Sequence, residues 1–135
     1  FLTRVEMGRV HDMLGAMAIT KGDKILHFGT SYGWLPAIMA YLTKGEGLVV
    51  AAKKPEEIAF ASDNCNRYGV ENVEFYEASD EEGWSSHKPY SKILYDAADT
   101  EPDLSKLGTL LVEGGKIVIH STGIITRFNQ SGTPA

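Results

Sequence analysis

The sequence predicts a three-layer, doubly wound α/β fold with a mostly parallel sheet. Two observations carry that prediction. Short β-rich runs alternate with helical stretches of about a dozen residues along the whole chain, the pattern of βαβ units with right-handed crossovers. The runs 48–52 and 117–119 are apolar without polar alternation, as strands covered on both faces must be.

The elements follow in order. Over residues 5–18, Val10, Met13, Leu14 and Met17 recur at i, i+3, i+4 and i+7, one face of a helix. Lys21, Gly22 and Asp23 are turn chemistry, and 24–28 reads as a strand. The run Gly29-Thr-Ser-Tyr-Gly33 breaks it, and 34–42 is a second helix with Pro36 tolerated in its first turn. A loop at 44–47 leads to the strand 48–52. Pro55 opens a third helix, whose Ile58, Ala61 and Cys65 share a face and which stops at Gly69. Strand 73–76 precedes an acidic loop running through Glu82, Gly83 and Trp84. A fourth strand at 92–95, a helix over 101–112 and a fifth strand at 116–119 complete the pattern.

Composition excludes several classes. The chain has 135 residues, with 13 Lys plus Arg against 18 Asp plus Glu, a net charge of −5. That length predicts one domain able to bury a core without disulfide or metal. The acidic balance argues against general DNA binding, which needs clustered basic residues. One cysteine, Cys65, forms no internal disulfide, and the four histidines are too scattered for a zinc site. The longest apolar run, 34–42, is too short to span a bilayer, and no secretion signal opens the chain. A cytoplasmic location is therefore expected. The chain starts at Phe1 and ends Gly-Thr-Pro-Ala, as a piece of a longer protein would.

In such a sheet, ligands bind beyond the carboxyl ends of the strands, which directs attention to 27–33, 52–54, 77–80 and 95–99. Gly29 and Gly33 bracket a tight turn that lets a ligand approach backbone N–H groups at a helix start. The dinucleotide pattern G-x-G-x-x-G is not met, because Ser31 and Trp34 occupy its second and third glycines.

The run Ile25-Leu-His-Phe-Gly-Thr-Ser-Tyr-Gly33 resembles motif I of the class I S-adenosylmethionine-dependent methyltransferases. The resemblance continues through 47–50, 71–75 and 90–95 to the stretch Leu110-Leu-Val-Glu-Gly-Gly-Lys-Ile-Val-Ile119, and so covers about residues 17–120. Within that superfamily the chain looks most like protein-L-isoaspartate O-methyltransferases, with catechol-type O-methyltransferases second. The resemblance implies a Rossmann-like methyltransferase core, divided as an N-terminal helix (1–20), a cofactor-type core (21–120) and a tail (121–135). It implies S-adenosylmethionine as the small-molecule cofactor, contacted by His27, Gly29, Thr30, Ser31, Gly33, Lys53, Ser79, Asp80 and Asp96. Three of these replace acids: His27 stands before the glycine turn, Lys53 at the ribose position and Ser79 at the adenine position, with Asp80 next to it. The family's active-site serine position falls on Val5, in the segment 3–5, so no catalytic residue carries over and the acceptor is unassigned. The sixth and seventh strands of that family are missing or reduced to 121–135, so the sheet is expected to stop after the fifth.

Other residues have competing readings. Asp96 and Asp99 follow the fourth strand, where they suit substrate orientation or Mg²⁺; Asp99 or Thr100 equally suits a helix cap. Lys53 and Lys54 suit a phosphate, but a solvated pair leading into Pro55 is the stronger reading. His120 and His11 read as structural, and Tyr32, Trp34 and Trp84 as core or as adenine walls. The expected function is an S-adenosylmethionine-dependent methyltransferase core. The alternative is a methyltransferase-like domain without catalysis that serves as a binding or structural module.

Overall fold

A computed structural model describes residues 4–29, 34–96, 101–121 and 124–129. Helices α1 (Arg4–Met17), α2 (Leu35–Leu42), α3 (Pro55–Arg67), α4 (Glu81–Ser85) and α5 (Leu104–Gly108) are interleaved with strands β1 (Lys24–Gly29), β2 (Leu48–Lys53), β3 (Val73–Glu77), β4 (Tyr90–Asp96), β5 (Leu111–Ser121) and β6 (Ile124–Phe128). They form one sheet in the order β3-β2-β1-β4-β5-β6. The first five strands are parallel and β6 runs antiparallel to β5. The chain thus begins at the centre of the sheet, winds outward to β3, then crosses to β4 on the other side. The expected doubly wound order is what forms.

Each sheet face has its own core, and the helices divide between them. Ile25, Val49, Leu94 and Val118 pack against Val10, Met13 and Met17 of α1 and Leu35, Met39 and Ala40 of α2. Leu26, Val50, Ala52, Ile93 and Ile117 pack on the opposite face against Trp84, Leu107, Leu110 and Leu111. Alternation along each strand assigns successive residues to opposite faces, so strands covered on both must be apolar throughout. The hydroxyl of Tyr90 donates to the Trp84 carbonyl, which ties β4 to α4.

Four boundaries differ from the sequence reading. The acidic loop contains α4, whose first turn is capped by Asp80 accepting from the Gly83 N–H at 3.0 Å. The helix expected over 101–112 is only the short α5, capped by Asp103 rather than by Asp99 or Thr100, which lie outside the described residues. Strand β5 begins at Leu111, because a bulge separates its pairing of Tyr90 with Leu111 from that of Lys92 with Lys116. Gly114 sits there at φ +82°, and a Cβ on Gly115 would lie 2.9 Å from the Ser91 carbonyl oxygen, so the Gly-Gly pair makes the bulge possible. The sheet does not stop at β5: residues 124–128 of the tail add β6, which pairs along β5 from Ile117 to Ser121.

The amino ends of the strands are clamped by a buried ion pair. Lys92 Nζ lies 2.8 Å from Asp23 and also donates to the Ala18 carbonyl at the end of α1. Asp23 accepts further from the Thr20 N–H at 2.8 Å and the Ser91 hydroxyl at 3.0 Å. Burial pushes the Asp23 carboxyl up, but the bonds from Lys92, Thr20 and Ser91 outweigh it and hold the group below its ordinary 3.8. A depressed folded-state value means this stabilisation is complete above the unfolded value and is lost as pH falls below it. Asp23→Asn should therefore cost about 3 kcal/mol at neutral pH, the usual cost of leaving one buried partner alone. Urea unfolding at pH 7 and pH 3 checks both points: the variant should lose less stability on acidification than the parent chain.

Candidate functional site at the carboxyl edge of the sheet

The opposite end of the sheet is built differently. Register pairs Gly29 with Asp96 and Lys53 with Glu77, while Phe28 pairs with Ala52 and Tyr95 with Ile119. Continuing those pairings by one residue sets Glu77, Lys53, Gly29, Asp96 and His120 side by side across five strands. In-register neighbours on parallel strands face the same way, so this row lies on the face covered by α1 and α2. His27, two residues before Gly29, shares that face. Lys53, Asp96, His120 and His27 are all at least 95% buried.

Contacts within the row are specific. The Lys53 ammonium donates to the Gly29 carbonyl at 3.0 Å. His120 Nδ1 lies 2.8 Å from Asp96 Oδ1. Gly29 has no room for a side chain: a Cβ there would meet His27 Nε2 at 2.8 Å and the Asp96 carbonyl at 3.0 Å. Both ring nitrogens of His27, and Nε2 of His120, are buried without a hydrogen-bond partner.

The electrostatics follow from that burial. Desolvation holds the His27 imidazole well below its ordinary 6.5, and the nearby Lys53 charge adds to the effect. Desolvation also lowers Lys53, against the pull of Glu57 and Asp96. Burial raises Glu57, in the first turn of α3, while Lys53 and Lys54 hold it down.

The remaining predicted residues divide. Ser79 and Asp80 are exposed in the turn after β3, and Asp80 caps α4. That turn is fixed by the Ala78 N–H donating to the Lys53 carbonyl at 2.8 Å and by Trp84 Nε1 donating to the Ala78 carbonyl at 3.1 Å. Trp84 is core, with its ring edge-on to Phe28 at 4.9 Å. Trp34 packs against the α1–α2 core. Thr30, Ser31, Tyr32, Gly33 and Asp99 lie outside the described residues, as does Thr3, while Val5 falls in the first turn of α1. Lys53 is not half of a solvated pair: Lys54 is exposed, but Lys53 is the last residue of a central strand and points inward.

The sequence reading also passed over the Asp96–His120 pair, treating His120 as structural. Its signal was available: each is the polar residue closing an otherwise apolar strand run. Among the described residues, no three His, Cys, Asp or Glu side chains gather as a metal site. No helix among the described residues is long and apolar enough to cross a membrane. A groove of about 740 Å³ between α1, α2 and α3, lined by Met7, Trp34, Ile38, Tyr41 and Tyr68, includes none of the strand-end residues.

This sheet order, with a glycine ending the central strand and polar residues gathered at the carboxyl edge, is that of a doubly wound, Rossmann-like core. A solved protein-L-isoaspartate O-methyltransferase superposes with a TM-score of 0.75 over 92% of this chain and 41% of its own, at 22% identity. The sequence model of the protein-L-isoaspartate (D-aspartate) O-methyltransferase family matches residues 5–130, and the chain belongs to that family. The protein-L-isoaspartate O-methyltransferase of Pyrococcus horikoshii is 32% identical over 108 residues, 79% of this chain and 48% of that protein. Protein-L-isoaspartate O-methyltransferase 1 of Archaeoglobus fulgidus is 33% identical over 118 residues, 86% of this chain and 53% of that protein. The chain thus spans about half the length of these curated relatives.

Two substitutions test the geometry. His27→Leu replaces an unpartnered buried imidazole with an apolar group of similar size and should stabilise the fold by about 1–2 kcal/mol. Because the unfolded chain protonates His27 near 6.5 and the folded chain resists it, the parent loses stability as pH falls below 6.5; the variant should lose less between pH 7 and pH 5, measured by urea unfolding. Gly29→Ala should destabilise by about 1–3 kcal/mol through overpacking. In a His27→Ala background that loss should shrink, because only Asp96, through its carbonyl oxygen and Cβ, still opposes the methyl.

Proposed function

We propose that residues 1–135 work as one methyltransferase unit that holds S-adenosylmethionine over the carboxyl edge of β1, β2 and β3 and passes its methyl group to an acceptor near Asp96. The observation that carries this reading is a buried polar row at the sheet edge, where doubly wound folds bind ligands, in a chain of this family. When bound, the cofactor supplies a sulfonium methyl for in-line displacement, a reaction in which positioning provides much of the rate gain.

The residues present fit that group with the acceptor at the ribose position exchanged for a donor. Gly29 ends β1 with its backbone at the carboxyl edge, so Gly29, Thr30, Ser31 and Gly33 take the amino-acid end. Lys53 stands at the ribose position, and its ammonium donates where a carboxylate would accept; a ribose hydroxyl oxygen can take that bond in place of the Gly29 carbonyl. Asp96 and Glu57 offset the Lys53 charge, which would otherwise oppose a cationic ligand. Ser79 and Asp80 border the adenine from a turn held rigidly to β2. His27, neutral and unpartnered, faces the same space from below Gly29.

Calorimetric titration with S-adenosylmethionine and with its demethylated product tests the reading. Saturable binding with Kd on the order of 10 μM, about −7 kcal/mol, is expected. Lys53→Met should weaken it roughly tenfold, the loss of one hydrogen bond. Absence of saturable heat at millimolar ligand would overturn the proposal and leave a methyltransferase-like module without catalysis.

A further inference from the structure

The turn after β3 lies open to solvent, since Ala78, Ser79 and Asp80 are all exposed. Exposed, mostly small side chains give a turn no apolar anchor, so hydrogen bonds must set its position. The Ala78 N–H donates to the Lys53 carbonyl at 2.8 Å and the Asp80 N–H to the Glu77 carbonyl at 2.9 Å. Asp80 Oδ1 accepts from the Gly83 N–H at 3.0 Å. Two further bonds come from Trp84. Its backbone N–H donates to the Asp80 carbonyl at 3.1 Å, and its indole Nε1 donates to the Ala78 carbonyl at 3.1 Å.

A buried indole N–H needs an acceptor. That of Trp84, a core residue, takes its acceptor from this exposed turn. The indole itself is firmly held. Its ring lies edge-on to Phe28 at 4.9 Å, and it shares a core with Leu107 and Leu110. The Trp84 carbonyl accepts from the buried Tyr90 hydroxyl. One side chain thus ties the turn after β3 to Phe28, the strand residue before Gly29.

We propose that Trp84 is the positioning residue for the adenine end of the cofactor, and that its indole N–H sets the selectivity for that base. This rests on the methyl-transfer reading above. Asp80 spends one bond on Gly83, and a carboxylate has acceptor capacity left for an exocyclic amino group. Trp84 holds the turn in place before the ligand arrives, which removes an ordering cost that binding would otherwise bear. A base that presents a carbonyl oxygen instead of the amino group sets acceptor against acceptor and is rejected. A turn released from Trp84 moves with its acceptor and loses that discrimination.

Calorimetric titration with S-adenosylhomocysteine, the demethylated product, and with S-inosylhomocysteine, whose base carries a carbonyl oxygen in place of the amino group, tests the assignment. The parent chain should prefer the adenine ligand by about 10- to 100-fold. Trp84→Phe keeps a ring against Phe28 but has no N–H, and should bring that preference down to about threefold or less. Tyr90→Phe removes only the hydroxyl bonded to the Trp84 carbonyl, and should lower the preference by a smaller factor. Leu107→Ala loosens the same core and should keep the parent preference while lowering stability.

An unchanged preference in folded Trp84→Phe, or in Tyr90→Phe where Trp84→Phe does not fold, would overturn the proposal. An equal loss in Leu107→Ala would do the same, because general loosening would then explain the effect. A parent chain that binds both ligands alike also defeats it. Absence of saturable S-adenosylhomocysteine binding in the parent would defeat the methyl-transfer reading itself, whereas intact binding with an unmoved preference would defeat only the role of Trp84.

Discussion

The parallel pairing of β1 with β2 on one side and β4 on the other is the constraint on which the molecule depends. It sets Gly29 level with Asp96 in β4 and with Lys53 in β2. Without that register Lys53 could not reach the Gly29 carbonyl, and Asp96 could not stand between Gly29 and His120. A slip of one residue would turn the polar row to the other face, against Trp84 and Leu107, and bring Leu26 and Ile93 under α1 and α2. Two separate apolar cores therefore hold the register that the site needs.

The two ends of the sheet use buried polar groups in opposite ways. At the amino end, Asp23 and Lys92 find partners in each other, in Thr20, in Ser91 and in the Ala18 carbonyl. That network ties α1 to β1 and β4, and it is satisfied by the chain alone. At the carboxyl end, two imidazoles are buried with nitrogens unpaired, and an ammonium is spent on a backbone carbonyl. Unsatisfied burial is costly and rare in native proteins, and it concentrates where a ligand completes the bonding. The contrast between the ends is one of satisfied against unsatisfied burial, which Asn64 Nδ2 in α3 also shows.

Much of this was legible in the sequence, and what was missed shares a cause. The helix face of Val10, Met13 and Met17 and the apolar strands at 24–28 and 48–52 are local signals, and all formed as read. The limits of α5 and β5 depend on a bulge opposite Tyr90 and Lys92, a pairing with residues some twenty positions earlier. The inward position of Lys53 and the Asp96–His120 bond likewise come from strand register, which periodicity along one segment does not encode. Composition favoured a solvated reading of Lys53 because lysine is almost never fully buried unless paired. Here its partner is a carbonyl on the neighbouring strand.

The replaced acids take on a different meaning once the row is in view. Lys53 stands where the family resemblance leads one to expect a carboxylate, yet it is flanked by Asp96 and Glu57, so the edge holds both signs of charge within a few side chains. His27, in place of another acid, contributes no charge, because burial and Lys53 together keep it neutral. The buried negative charge of the row is that of Asp96, whose Oδ1 lies 2.8 Å from His120 Nδ1. A site that expected acids on the cofactor side has thus concentrated its buried carboxylate beside the imidazole. Charge placed there is bonded to an imidazole, and the β1 and β2 side of the row holds a neutral ring and an ammonium.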